Sequence, residues 1–202
     1  MSDNAQHLPP AAAVVTLTVA DFDTWKTVFD ANEGTRSQAG MLGHHINRLE
    51  DDPNTVGIYF AVSDVDEMKK FVASEELQQV MKEAGVTGPP DVRFMKPLRE
   101  SIVWDREVPA FIIGHQVADV DAWLEAYDAA DALQKAGGII GHGANVSLDD
   151  PSMVIVYHQA ESFDDLRSFL DNPDLRAAME AAGVISEPDV TFVTGGWAKL
   201  YE

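Results

Sequence analysis

The chain has no cysteine among its 202 residues, which removes disulfides, thiolate metal sites and thiol nucleophiles together. It is also short of positive charge: 14 lysines and arginines stand against 34 aspartates and glutamates, a formal net charge of -20. Such a surface repels phosphate backbones and gives anionic membranes nothing to hold, so neither nucleic acid nor membrane is expected as a partner. No stretch approaches the ~18 consecutive apolar residues of a spanning helix. Met1 to Pro10 has neither a basic segment nor an apolar core, which predicts a cytoplasmic protein with residues 1–12 as a flexible tail. Two catalytic signatures are missing as well. Gly137-Gly138-Ile139-Ile140-Gly141-His142-Gly143 follows a predicted helix and enters a predicted strand, the reverse of a dinucleotide loop. No Gly-x-Ser-x-Gly elbow occurs, so serine hydrolase chemistry has no support.

What the chain does have is a duplication. Gly43-His44, Asp51-Asp52-Pro53, Ala84-Gly85-Val86 and Pro90-Asp91-Val92 recur as Gly141-His142, Asp149-Asp150-Pro151, Ala182-Gly183-Val184 and Pro188-Asp189-Val190, all at one offset. Trp25/Trp123, Tyr59/Tyr157, Phe71/Phe169, Met81/Met179 and Phe94/Phe192 keep the same offset. Two units of this size are a domain duplication and not a short solenoid repeat. With 46% apolar residues the chain can bury a core in each.

Both copies show the same order of elements. In the first, Ala13 to Val19 reads as a strand, and Asp21 caps a helix carrying Trp25 and Phe29 that closes at Gly40. Leu42 to Leu49 and Thr55 to Val62 form a hairpin through the Asp-Asp-Pro-Asn turn. Val65, Met68, Phe71 and Val72 mark a second helix, Ser74 caps a further short one that ends at Gly85, and Val92 to Met95 is a last strand. This is βαββαβ, a ferredoxin-like unit of the α+β class. The expected organisation is a tail (1–12), a first repeat (13–98), a strap (99–109) with Ile102, Val103 and Trp104 seeking burial, and a second repeat (110–202). The unpaired sheet faces predict that the copies pack together.

The motifs Val-Ala-Asp-x-Asp-x-Trp, Gly-His, Asp-Asp-Pro and Ala-Gly-Val-x-x-x-Pro-Asp-Val-x-Phe resemble the small dimeric α/β barrel proteins, more narrowly the group labelled cyclase-like or antibiotic-biosynthesis-monooxygenase-like. Members have one unit and dimerise, so the resemblance implies a tandem fusion that forms an intrachain barrel, a pseudo-dimer within one chain. It implies small-molecule chemistry of several kinds, including cofactor-free oxygenation, cyclisation and haem degradation, without choosing among them. Haem degraders of this kind have an Asn on the first strand, a Trp on the third and a His on the second helix. Here Thr16 or Gln116 and Tyr59/Tyr157 stand nearby, and no histidine falls between Val65 and Gly85 or between Phe163 and Gly183.

The copies differ in ways that bear on chemistry. Leu17 becomes His115 and Phe60 becomes His158, while His44 is matched by His142. His115 shares strand parity with Phe111, Ile113 and Val117 and is expected to face a buried cavity. The histidines His115, His142 and His158 have three readings: acid/base groups, ligands of a divalent transition metal, or core histidines satisfied by hydrogen bonds. The expected catalytic set is His115, His142, His158 and Tyr157, with no cofactor, or with a metal on the three histidines. In the first copy, Asn32 and Arg36 extend the inward stripe of Trp25 and Phe29, where the second copy has Ala130 and Gln134. Arg36 either meets a ligand carboxylate or enolate or reaches solvent from the helix end. Asn32, Arg36, His44, Trp25, Trp123 and Tyr127 are the candidate substrate contacts, the tryptophans being equally natural as core. The capping aspartates Asp21, Asp119, Asp23 and Asp121 and the Asp-Asp-Pro pairs read as structural.

The sequence thus points to a small-molecule enzyme, monooxygenase- or cyclase-like, acting on an apolar, aromatic or polyketide-like substrate in a cavity between sheet and helices. The alternatives are a metal-dependent enzyme and a ligand-binding or stress-associated protein without catalysis.

Overall fold

The computed structural model describes residues 8–201. Residues 1–7, most of the expected tail, lie outside the described residues, and Ala11-Ala12 already belong to a strand. The first copy runs β1 (Ala11–Thr18), α1 (Phe22–Ala31), α2 (Glu33–Gln38), β2 (Met41–Leu49), β3 (Thr55–Val62), α3 (Val65–Val72), α4 (Glu75–Glu83) and β4 (Asp91–Ser101). The second repeats it as β5 (Val108–Gln116), α5 (Val120–Ala129), α6 (Asp131–Ala136), β6 (Ile139–Ser147), β7 (Met153–Ala160), α7 (Phe163–Leu170), α8 (Pro173–Ala181) and β8 (Asp189–Leu200). No helix of the described residues is long and apolar enough to cross a membrane.

Local chemistry explains most boundaries. The Asp21 carboxylate accepts from the Thr24 N–H at 2.8 Å, and Asp119 accepts from Ala122 at the same distance, so both aspartates are N-caps. Asp52 and Asp150 are occupied in their turns, accepting from the Thr55 and Ser152 hydroxyls. The helix expected to run unbroken to Gly40 is interrupted at Asn32, and its counterpart at Ala130. The Ala130 N–H is shared between the carbonyls of Ala126 and Tyr127, the mark of a tightened last turn.

The terminal strands are the largest departure from expectation. β4 and β8 continue far past Met95 and Val193, so Arg99 to Ser101 extend β4 and only Ile102 to Glu107 separate it from β5. Lys96, Pro97, Arg99 and Glu100 in one case, and Gly195-Gly196 in the other, carry no strand signal of their own. Val103 is pinned by Gln159, whose side chain accepts from its N–H at 2.7 Å and donates to its carbonyl. Trp104 remains 41% exposed.

The hydrogen-bonded strand order is β1-β3-β2-β8-β5-β7-β6-β4. The chain forms two compact units, one of Pro9–Met95 with Thr194–Glu202, the other built on Lys96–Val193. In the first, β1 pairs antiparallel with both β3 and β4, and β3 with β2. The end of β8 reaches β2 through the Tyr201 N–H to the Leu42 carbonyl. In the second, β5 and β6 flank β7 in the same register, Phe111 and His142 both standing opposite His158. Each unit buries its own core between sheet and helices, around Trp25, Phe29 and Phe60 in one and Phe111, Trp123 and Phe169 in the other.

The Gly-His glycines are explained by this crossing of strand ends. A Cβ on Gly43 would stand 2.7 Å from the Lys199 carbonyl oxygen. On Gly141 it would stand 3.2 Å from that of Ser101 and overlap the Gln159 amide. Backbone cannot yield there as a side-chain tip can, so glycine is required by close approach.

Candidate functional site

Each unit holds a cavity between its sheet and its helices. The second-copy cavity, of about 60 Å³, lies over β5 and β7 and beneath α5, α7 and α8. Period-2 alternation turns Ile113, His115, Val156 and His158 into it. Trp123 and Tyr127 from α5 and Phe111 and Phe169 complete an aromatic wall, with the His115 ring edge-on to Trp123 at 5.9 Å between centroids. His158 packs on Phe111 at 5.1 Å and on Phe169 at 5.7 Å. An open groove of about 590 Å³ along α8 shares Ile113, Leu170, Leu175 and Met179 with this cavity.

The two histidines that distinguish this copy are buried, at 3% and 5% exposure, and all four of their ring nitrogens lack a hydrogen-bond partner among the described residues. Neither is therefore satisfied by another of the described residues. Leaving a buried polar group unpaired costs about 1–3 kcal/mol, and such groups call for an explanation. Burial also keeps both rings uncharged, holding His115 down to about 4 and His158 to about 3.

His142 does something different. It is half-buried, and its Nδ1 lies 2.8 Å from the Tyr127 hydroxyl. Burial pushes the Tyr127 phenol well up and keeps it protonated, and the bond to His142 runs from the phenol or from Nδ1 according to the tautomer of the ring. Tyr127 stacks on Trp123 at 5.1 Å and reaches the His158 ring at 6.1 Å. His142 thus stands behind the cavity wall, holding Tyr127 in place.

The three histidines are not brought together as metal ligands. Among the described residues no group of three or more His, Asp or Glu side chains converges closely enough to hold a metal ion, and the His142 and His158 centroids are 6.4 Å apart. Tyr157 is also corrected. It neighbours His158 on β7, and alternation sends its side chain to the opposite face of the sheet, away from the cavity.

The first-copy cavity is larger, about 100 Å³, and Leu17 and Phe60 replace the two histidines. Trp25, Phe29, Asn32 and Arg36 all line it. Asn32 spends its amide on the Val28 carbonyl at 2.8 Å. Arg36 does not reach solvent: it is 5% exposed, lies over the Phe29 ring at 3.6 Å and donates from Nε to the Tyr201 hydroxyl at 2.7 Å and from Nη1 to the Phe29 carbonyl. Since a guanidinium can only donate, the Tyr201 proton is free for His44 Nδ1, 2.8 Å away. Burial, aided by the Arg36 charge, takes His44 down to about 4. His44 and His45 face opposite sides of β2, and only His44 meets the Phe29 side. Tyr201 carries no sequence signal, because its counterpart is Val103 and it sits beyond the last repeated motif.

These sites rest on a known scaffold. The chain superposes on an anthrone oxidase-like protein with a TM-score of 0.67 over 94% of this chain and 92% of that one, at 15% identity. The fold is that of the dimeric α/β barrel proteins. A candidate monooxygenase from Lactobacillus acidophilus NCFM matches with a TM-score of 0.65 at 14% identity, over 95% of this chain and 96% of that one. A chlorite dismutase variant from Candidatus Nitrospira defluvii matches at 0.59 and 12% identity, over 95% and 94%. No protein-family model matches the chain, and neither does any curated protein sequence.

Proposed function

We propose that the second-copy cavity receives the acidic edge of an apolar compound, a phenol or an enolisable ketone, and that His115 removes its proton without a cofactor. The observation that carries this is the pair of buried, uncharged imidazoles with no hydrogen-bond partner among the described residues, facing an aromatic-walled cavity. Burial lowers both rings, and the neighbouring His142 lowers His158 further. His158 acts as a neutral N–H donor to the oxygen on which charge develops. A base held near 4 requires a substrate whose proton is itself acidic, which favours phenols and stabilised enols over simple ketones. At about 60 Å³ the cavity is smaller than the ~150 Å³ of one that holds benzene, so only the acidic edge of a ring enters and the rest of the substrate lies along the α8 groove.

From the anion two kinds of outcome balance, one with no further reagent and one with dioxygen. Return of the proton to a different carbon gives an isomer, whereas attack of the carbanion on a carbonyl carbon of the same molecule forms a C–C bond and closes a ring, the proton going to the former carbonyl oxygen. Reaction with dioxygen converts a CH₂ to C=O, one oxygen forming the new carbonyl and the other leaving as water with the two hydrogens. The monooxygenase and oxidase labels of the structural neighbours support the second.

The test is solvent-deuterium exchange and oxygen uptake with a panel of one-ring and fused-ring phenols and enolisable ketones. His115→Leu should lower exchange about 10²–10⁴-fold, while Arg36→Gln leaves it unchanged. Binding without exchange or oxygen uptake would leave a ligand-binding protein. Exchange that survives His115→Leu would end the role given to this histidine.

A further inference from the structure

We infer that the first-copy cavity is a separate binding site for a small apolar carboxylate, anchored by Arg36. A buried guanidinium needs an anion or a full set of acceptors, because an uncompensated charge in a dry interior is costly. Arg36 has two neutral acceptors, Tyr201 and the Phe29 carbonyl, and its Nη2 has none among the described residues. The nearby carboxylates are committed elsewhere, Asp30 to Lys26 at 2.6 Å and Glu33 to Lys199 at 2.6 Å. The charge therefore faces a cavity lined mainly by apolar side chains, Val15, Leu17, Ile58, Phe60, Val72 and Leu77 among them, with Asn32, Thr35 and the solvent-exposed Glu76 as its other polar members.

That combination selects the ligand class. One free Nη2, with two N–H groups, matches a carboxylate better than a phosphate, which needs more donors than the wall supplies. The apolar walls require that the rest of the molecule be hydrocarbon. The volume of about 100 Å³ is less than the ~150 Å³ of a cavity that holds benzene, which points to a short branched acid. In the second copy Gln134 replaces Arg36, so the anchor belongs to one cavity only. This site does not depend on the activity proposed for the other.

Isovalerate and its neutral isostere isovaleramide, titrated calorimetrically into the full chain, test it. Isovalerate should bind, the amide about tenfold more weakly or worse, a difference of about 1.4 kcal/mol. Arg36→Gln, which copies the residue of the second cavity, should remove the preference. Val80→Trp, filling the cavity from a half-buried position on α4 and leaving Arg36 untouched, should abolish binding. His115→Leu with His158→Phe should leave isovalerate binding intact, which separates this site from the proposed catalytic one. Equal binding of acid and amide by the wild type, no binding of either at millimolar concentration, or unaltered preference in Arg36→Gln would each overturn it.

Discussion

The two cavities share a scaffold to the level of strand register, yet they bury opposite kinds of polar group. The first holds a permanent cation and no imidazole in its wall; the second holds two imidazoles and an amide in place of the cation. Both keep a histidine at the Gly-His motif, and both tie its Nδ1 to a phenol, but the phenol comes from the end of β8 in one unit and from α5 in the other. The tie survives divergence while its source changes, so the constraint is on holding the histidine ring and not on a particular tyrosine. The duplicated sheet and caps supply stability in both copies, which leaves the inward positions free to carry unpaired polar groups for ligands.

Three sets of variants sharpen this contrast. The largest effect concerns acid. Histidines in an unfolded chain titrate near 6.5, whereas burial holds His44, His45 and His115 at about 4 and His158 at about 3. The native state binds fewer protons in that interval, so the stability these groups contribute is complete above pH ~6.5 and is lost as pH falls toward ~4. Each contributes a slope of about 1.4 kcal/mol per pH unit there. Urea melts of His115→Leu with His158→Phe should show a shallower loss between pH 6.5 and 4.5 than the wild type. An unchanged slope would mean that these rings are hydrated and not buried.

Next in size is stability at neutral pH. The same double variant places the first copy's residues in the second and removes two unpaired imidazoles. It should raise unfolding free energy by roughly 1–3 kcal/mol per site. The reverse change, Phe60→His, should lower it by a similar amount. A double variant that is both less stable and fully active would undo the claim that these histidines are kept for chemistry.

The smallest effect tests the phenol ties. Tyr201→Phe strips a partner from both Arg36 and His44 and should cost about 2 kcal/mol in chemical denaturation, since one of the bonds is to a charged group. Tyr127→Phe leaves half-buried His142 within reach of water and should cost about 1 kcal/mol or less. Equal losses would show that the ties are equivalent after all.

How far the site was legible follows from the range of each signal. Strand parity put His115 in a cavity, because alternation is local and holds wherever one face is buried. The same parity separates Tyr157 from His158, its neighbour on the strand, although the sequence reading placed both in the catalytic set. That His115 and His158 lack partners could not be read, since a hydrogen bond depends on what folds over the ring. Arg36 was legible as lying on an inward stripe, but its burial depended on Tyr201, which comes from the far end of the chain.

The sequence by itself determined the duplication, the βαββαβ order, the capping aspartates and turns, and which positions differ between copies. These depend on periodicity and short-range side-chain chemistry. Only the tertiary structure decided that β4 and β8 extend through segments with no strand propensity, because their hydrogen bonds and the space beside Gly43 and Gly141 are supplied by residues distant in sequence. It likewise decided which buried nitrogens are paired. Propensity is carried by neighbours along the chain, whereas pairing and exclusion of water are set by whatever the fold brings alongside.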